Sequence, residues 1–427
     1  MRQLFYRAYD AYLARAFPSD ELLPLSCRGT APNATEHGTP QAVATGRWAR
    51  TLVDTLDTLA VLGDWAEFDH AVALTARTLD ERLHPAPKNN NSNTGNSTEQ
   101  EEEEQPLTVS LFETTIRVLG GLLSAHAIAA RRAEGAHTGT VPYRGALLQH
   151  AETVAQRLLP AFFTPTGVPC ATVRADGAWH CLFGDTTPAD AGTLVLEWAT
   201  LARLTARPAY RALVDQALAA VRAARSPLGL YAERVTWDTL NTTFVAAVAA
   251  ADYTMSGRRD HTHTIDELRG LATVGPGIDS LLEYTMKGYA LLGDAGLYRA
   301  YRADVTRVYR TQYLAGHFLP VVPHTGQFVL ERPFSGLQMF WPLLPLLEGD
   351  LVTALETYAA NLEVVSHTLL QPEGYYIAPG KIVYADASYP LRPEFIEATY
   401  SLYRATHDNV FLHVCFLFCF FSSQLSL

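Results

Sequence analysis

Three stretches of this chain set a carboxylate at the start of a helical pattern and a second charged residue about one turn later. Glu113 and Arg117 share one stripe with Gly121 and Ser124; Asp279 precedes Glu283 after the Gly275-Pro276-Gly277 punctuation; Glu394 precedes Glu397 after Pro393. A single acidic residue at a helix start needs no chemistry, because the helix dipole favours it there. Ser110-x-x-Glu113 also fits a capping box, and Arg117 can pair with Glu113 across one turn. The joint pattern says more. If the helices carrying these starts run the same way in a ring, their N-termini gather at one mouth. Two of the carboxyls can then flank a glycosidic bond, one as acid and one as base. Glu373 stands in the loop Gln371-Pro372-Glu373-Gly374 ahead of the last such helix, and Glu197 is a lone charge inside the apolar run Leu194–Trp198. Trp341 and Tyr375-Tyr376 are rings able to stack on a pyranose, although such rings more often belong to a core.

Helical periodicity dominates the elements that must position these groups. It predicts helices over Gln3–Arg15, Arg47–Leu62, Trp65–Arg82, Val109–Arg131, Arg144–Leu159, Ala189–Leu204, Pro208–Ala224, Ile278–Leu292, Ala295–Tyr313, Gly336–Leu347, Leu351–Thr368 and Pro393–Ala405. Tight turns at Gly63-Asp64, Arg207-Pro208, Gly293-Asp294 and Gly349-Asp350 join several of them into αα-hairpins. Such a series without strong strand signals predicts an all-α chain, an α-solenoid or a closed α/α barrel. Residues 85–105 combine Pro, Asn, Ser and Thr with five Glu against Lys88, and read as a disordered insertion between two helices.

The bulk composition narrows the partners. The 427 residues are 48% hydrophobic with a net charge of −11, which argues against nucleic acid and anionic membranes and suits a neutral carbohydrate. Five cysteines show no zinc-like spacing; Cys170 and Cys181 are placed to close a short loop, with connectivity open. Sequons at Asn33, Asn90, Asn96 and Asn241 are weak pointers to a secretory compartment. The N-terminus reads as an amphipathic helix without a signal-peptide core, and the apolar run from Phe411 to Phe421 is about half the length of a membrane span.

Together the segments Tyr6–Tyr12, Pro24–Gly29, Leu52–Leu59, Val109–Ser124, Thr164–Pro169, Leu201–Thr205, Gly277–Glu283 and Pro390–Glu397 resemble glycoside hydrolase family 47, the class I α-1,2-mannosidases. Within it they look most like the EDEM branch, the ER degradation-enhancing α-mannosidase-like proteins. The absence of cysteine from Gly336–Thr353, where the processing mannosidases carry half a disulfide, leans the same way.

The resemblance implies an (α/α)7 barrel of helical hairpins, a bound Ca2+, and inverting removal of α-1,2-linked mannose. The substrates would be high-mannose N-glycans on misfolded glycoproteins in the endoplasmic reticulum lumen, with a protein disulfide isomerase-like oxidoreductase as partner class. By position, Glu113, Asp279, Glu373 and Glu394 match the catalytic acids: Glu113 or Asp279 would protonate the leaving oxygen, and Glu394, assisted by Glu373, would activate water. Acid and base carboxyls would then stand about 6.5–9.5 Å apart. Arg117, Glu197, Glu283, Arg392 and Glu397 match residues lining the sugar pocket, and Asp54 and Asp57 match positions read as structural. The match ends near residue 412. The expected domain is therefore an incomplete barrel over 1–412, its last hairpin missing, followed by an apolar, non-family tail over 413–427. The family's calcium-holding Thr would lie beyond that point, so no residue here is assigned as a metal ligand, and Cys27 is expected to lack its partner. A catalytically impaired, lectin-like mannose-binding protein is the alternative, followed by an ordinary trimming mannosidase and an unrelated helical scaffold.

Overall fold

A computed structural model describes residues 2–30, 47–83, 108–135, 143–176, 181, 185–236, 270–378 and 381–425. The expected insertion at 85–105 and the four sequons lie outside these residues. Helices dominate. They are α1 (Arg2–Arg15), α2 (Arg50–Val61), α3 (Trp65–Leu83), α4 (Leu111–Glu113), α5 (Gly120–Gly135), α6 (Ala146–Leu158), α7 (Pro188–Gly192), α8 (Val195–Thr205), α9 (Pro208–Ala223), α10 (Asp279–Leu292), α11 (Ala295–Thr311), α12 (Leu343–Leu347), α13 (Leu351–Thr368), α14 (Glu394–Thr406) and α15 (Asn409–Leu425).

The hairpins form where the turns call for them. In the Gly293-Asp294 turn, Gly293 takes φ +71° to end α10. Asp294 then caps α11 by accepting from the Gly296 and Leu297 N–H groups at 2.7 and 3.4 Å. Asp350 caps α13 in the same way through the Thr353 N–H at 3.0 Å. Glycine relieves the left-handed residue and aspartate satisfies the orphan donors, so two residues reverse the chain. Helices α2, α5, α8, α10, α12 and α14 pack each against the next in that order, and each also packs against its hairpin partner: α3, α6, α9, α11, α13 and α15. This alternation is the inner-and-outer arrangement of an α/α barrel.

Local chemistry breaks three expected helices. The expected Val109–Arg131 helix starts as a strand, β3 (Thr108–Ser110), then runs through α4 and a π-helical stretch, Thr114–Leu119, into α5. The expected Ala189–Leu204 helix divides at Thr193-Leu194 into α7 and α8, because Thr193 leaves helical dihedrals with ψ 62°. Gly336–Leu347 divides into a 3₁₀ turn, Gly336–Phe340, and α12 around Pro342.

The short strands are the elements helical periodicity overlooks: besides β3 they are β1 (Leu22–Leu23), β2 (Arg28–Gly29), β4 (Thr172–Arg174), β5 (Asp185–Thr186), β6 (Val235–Thr236), β7 (Tyr313–Leu314), β8 (His317–Phe318) and three more that share one sheet. That three-stranded sheet has the order β11 (Lys381–Asp386), β10 (Gly374–Ala378), β9 (Phe334–Ser335), and its β10–β11 hairpin carries the chain from α13 to α14. Its Tyr, Ile and Val residues are strand chemistry. A large core centred on residues such as Trp198 and Tyr301 fills the first four hairpins. A second core joins Tyr358, Phe395, Phe411 and Phe418, which fastens α15 onto α13 and α14. Residue 412 therefore lies inside a packed helix. Among the described residues, no helix is long and apolar enough to cross a membrane.

Candidate active site

The Ser110 hydroxyl accepts from the Glu113 N–H at 3.1 Å, so the capping-box reading of this segment holds for its backbone half. The π-helical stretch begins directly after Glu113, a type of irregularity that is frequent at functional sites. Glu113 keeps 46% of its side chain exposed and stands 3.8 Å from Arg117. Arg117 is held more closely by Asp54, whose Oδ2 accepts from Nε at 2.9 Å. Asp54, read from sequence as structural, thus anchors a candidate sugar-binding side chain. Gly121 serves packing: a Cβ there would stand 2.7 Å from Val53 Cγ1 and 3.2 Å from the Val53 carbonyl.

Asp279 opens α10. It is half-buried and densely surrounded by protein. Burial pushes its carboxyl up to about 7; the Ser280 N–H opposes this, while Glu283, Asp190 and Glu394 add to it. Asp190 has Glu113 as its like-charged neighbour and is likewise raised, chiefly by burial. Glu394 is raised by burial and by Glu373, against the Gln371 amide and the Arg392 guanidinium. Arg392 also feels the charge of Asp279. Residues as distant in sequence as 113, 190, 279, 373 and 394 therefore form one connected electrostatic neighbourhood.

The two acids near the last hairpin are held by different means. Arg392 grips Glu373 as a fork, Nε donating to Oε1 at 2.7 Å and Nη2 to Oε2 at 2.9 Å. Gln371 is fully buried and satisfies three groups. Its amide donates to Glu394 Oε2 at 2.9 Å and to the Gly336 carbonyl at 3.0 Å, and its carbonyl accepts from the Phe395 N–H at 2.9 Å. Gln371 thus caps α14 and aims its first residue at once.

Lys287 joins α10 to α14, standing 2.6 Å from Glu283 and 2.9 Å from Glu397. Burial raises Glu283, while Lys287 opposes that shift. Glu197 is 8% exposed. Its Oε1 accepts from the Tyr284 hydroxyl at 3.0 Å, its Oε2 is buried with no hydrogen-bond partner, and burial pushes it up to about 7. Two aromatic candidates belong elsewhere: Trp341 is 1% exposed and donates to the Tyr309 hydroxyl, and Tyr375 stacks on Phe334 inside the second core. Tyr376 is half-buried. Cys170 and Cys181, left open by sequence, form a disulfide, and Cys27 is free and exposed.

Sequence reasoning missed Asp190, Gln371 and Lys287. Asp190 carried a usable signal: Thr187-Pro188-Ala189-Asp190 is a fourth helix start, with Thr187 capping the Asp190 N–H at 2.9 Å and Pro188 at the first helical position. Gln371 carried none, since it works across 23 residues of chain.

The implied Ca2+ finds no ready cage. Among the described residues no group of three or more His, Cys, Asp or Glu side chains is arranged to hold a metal ion. The Glu283 and Glu397 carboxylates are already bridged by an ammonium.

The sequence matches the family described as Glycosyl hydrolase family 47 over residues 4–418. It is 35% identical over 422 residues to "Alpha-mannosidase I MNS4" of Arabidopsis thaliana, taking in 96% of this chain and 56% of that protein. It is 33% identical over 418 residues to the human "ER degradation-enhancing alpha-mannosidase-like protein 2", taking in 97% of this chain and 61% of that one. The chain spans about half the length of the curated relatives it matches. Its fold is similar to that of the solved alpha-1,2-mannosidase from Trichoderma reesei, with a TM-score of 0.70 at 22% identity, over 97% of this chain and 81% of that one. The expected (α/α)7 barrel architecture is met at the level of the fold.

Proposed function

The chain belongs to glycosyl hydrolase family 47, and from that membership we propose that it is an α-1,2-mannosidase-like protein that trims high-mannose N-glycans of misfolded glycoproteins in the endoplasmic reticulum lumen. The observation that carries this reading is the pairing of unlike carboxyl environments within one charge neighbourhood: Asp279 is held near neutrality by burial, and Glu394 is fixed by Gln371 and flanked by Arg392. Such pairs separate acid from base. Asp279, rather than the more exposed Glu113, keeps its proton at working pH and delivers it to the leaving glycosidic oxygen. Glu394 takes a proton from water as that water attacks the anomeric carbon from the opposite face, releasing mannose with inverted configuration. Glu373 and Arg392 hold one another and set the charge beside Glu394. Arg117, Glu197, Glu283 and Glu397 are the candidate sugar contacts. In the same reading residues 1–412 form the barrel domain, 413–427 an apolar appendage to it, and a protein disulfide isomerase-like oxidoreductase the partner class.

The test is release of mannose from a high-mannose N-glycan with α-1,2-linked termini, the anomer formed being read by proton NMR, with and without a chelator. Wild type should release the inverted anomer, and Glu394→Gln should not. Glycan binding without turnover by wild type would overturn the hydrolytic reading in favour of the lectin-like one.

A further inference from the structure

Glu233 and Arg332 form a buried ion pair that the proposed chemistry does not use. Arg332 Nη1 donates to Glu233 Oε2 at 2.6 Å, and Nη2 stands 2.6 Å from Oε1. The Glu233 side chain is 8% exposed and that of Arg332 21%. Each partner belongs to a segment that touches one side of the candidate site.

On the acid side, the Glu233 carbonyl presses on the turn that launches Asp279: a Cβ on Gly277 would stand 3.1 Å from it, and Gly277 has φ +85°. A bulkier residue there would meet both the left-handed backbone and this carbonyl. Glu233 is fixed in turn by its N–H, which donates to Leu271 at 3.0 Å. On the base side, Arg332 leads into β9, which pairs with β10 through Ser335↔Gly374 and Phe334↔Tyr375. The next residue, Gly336, donates its N–H to the Glu373 carbonyl at 2.9 Å and accepts from Gln371, the residue that aims Glu394. The two segments also touch directly, since a Cβ on Gly275 would stand 3.4 Å from Ser335 Cβ.

We propose that Glu233 and Arg332 are positioning residues, a clasp that ties the Gly275–Asp279 turn to the β9 segment and so holds the acid side of the site at its working distance from the base side. The proposal rests on the glycosidase reading for its consequence and on the contacts alone for its geometry. A guanidinium that donates to one carboxylate oxygen and stands against the other fixes orientation as well as distance, which a lysine at the same place would not do.

The experiment uses the full chain and the double variant Glu233→Leu with Arg332→Met. Replacing both members of a buried pair by apolar residues of similar bulk commonly leaves a fold intact, whereas removing one strands a charge. Hydrogen–deuterium exchange is read for peptides spanning 273–281, 334–338 and 371–374, and kcat and KM are measured for mannose release. Expected are a cooperative thermal transition like that of wild type, faster exchange in the first two peptides, and a kcat lowered by about 10²-fold, as misplacement by roughly an ångström costs, with KM little changed. Arg332→Lys should fall between. Unchanged exchange in both segments overturns the clasp, and faster exchange with wild-type kcat overturns its positioning role. Wild type that releases no mannose overturns the glycosidase reading instead, and the exchange arm still decides the clasp.

Discussion

Glu197→Gln is the sharpest test of the electrostatics inside this barrel. Glu197 is 8% exposed, with one carboxyl oxygen held by Tyr284 and the other buried without a partner. Its ordinary value of 4.5 is pushed up to about 7, chiefly by burial. Between those two values the folded chain keeps a proton that the unfolded chain has released, so stability falls as pH rises through the window. Integrated from pH 5 to pH 8, a displacement of this size removes about 2–3 kcal/mol of folding free energy. Glutamine preserves the shape and can still accept from Tyr284, but it cannot titrate. The absolute stability of the variant depends on its buried NH₂; the pH dependence does not. Urea unfolding of wild type and variant at both pH values measures the difference. Wild type should lose about 2–3 kcal/mol more than the variant between pH 5 and pH 8. Asp190, Asp279, Glu233, Glu283 and Glu394 are also raised, so a falling slope of the same sign should persist in the variant. Equal pH slopes for the two proteins would refute the reasoning that burial holds Glu197 protonated.

The remaining predictions concern the site and its frame. Asp279→Asn and Glu394→Gln should each lower kcat for mannose release by about 10²–10⁴-fold while circular dichroism stays unchanged; activity within tenfold of wild type would remove either residue from the mechanism. Because Asp279 must be protonated to act as acid and sits near 7, kcat/KM should fall on the alkaline side of about pH 7; a flat profile to pH 9 would transfer the acid role away from it. Lys287→Met leaves Glu283 and Glu397 without their shared cation, so it should destabilise by on the order of 1–3 kcal/mol and more at pH 8 than at pH 5, checked by thermal melts at both. Cys170→Ser with Cys181→Ser opens a loop of 11-residue separation and should lower stability by about 2–4 kcal/mol in urea.

What could be read from sequence divides along the range of the interactions involved. The hairpin turns were legible because Gly293 with Asp294 and Gly349 with Asp350 carry both halves of their chemistry within two residues: a left-handed stop and a carboxylate cap. The helix starts bearing Glu113, Asp279 and Glu394 were legible for the same reason. What those starts face was not, since nothing near Glu394 announces that Gln371 reaches it, or near Glu283 that Lys287 will also take Glu397 from another helix. The β10–β11 hairpin was hidden by a different cause. Its five paired residues on each strand are too short to outweigh the helical periodicity on either side. Gly121 shows the opposite failure: its place on the stripe of Glu113 and Arg117 is spent on packing against Val53 of a neighbouring helix. A small residue marks close approach but cannot name what approaches. A carboxylate at a helix start likewise marks favourable charge, and only the packing of one helix against another decides which other charges it feels.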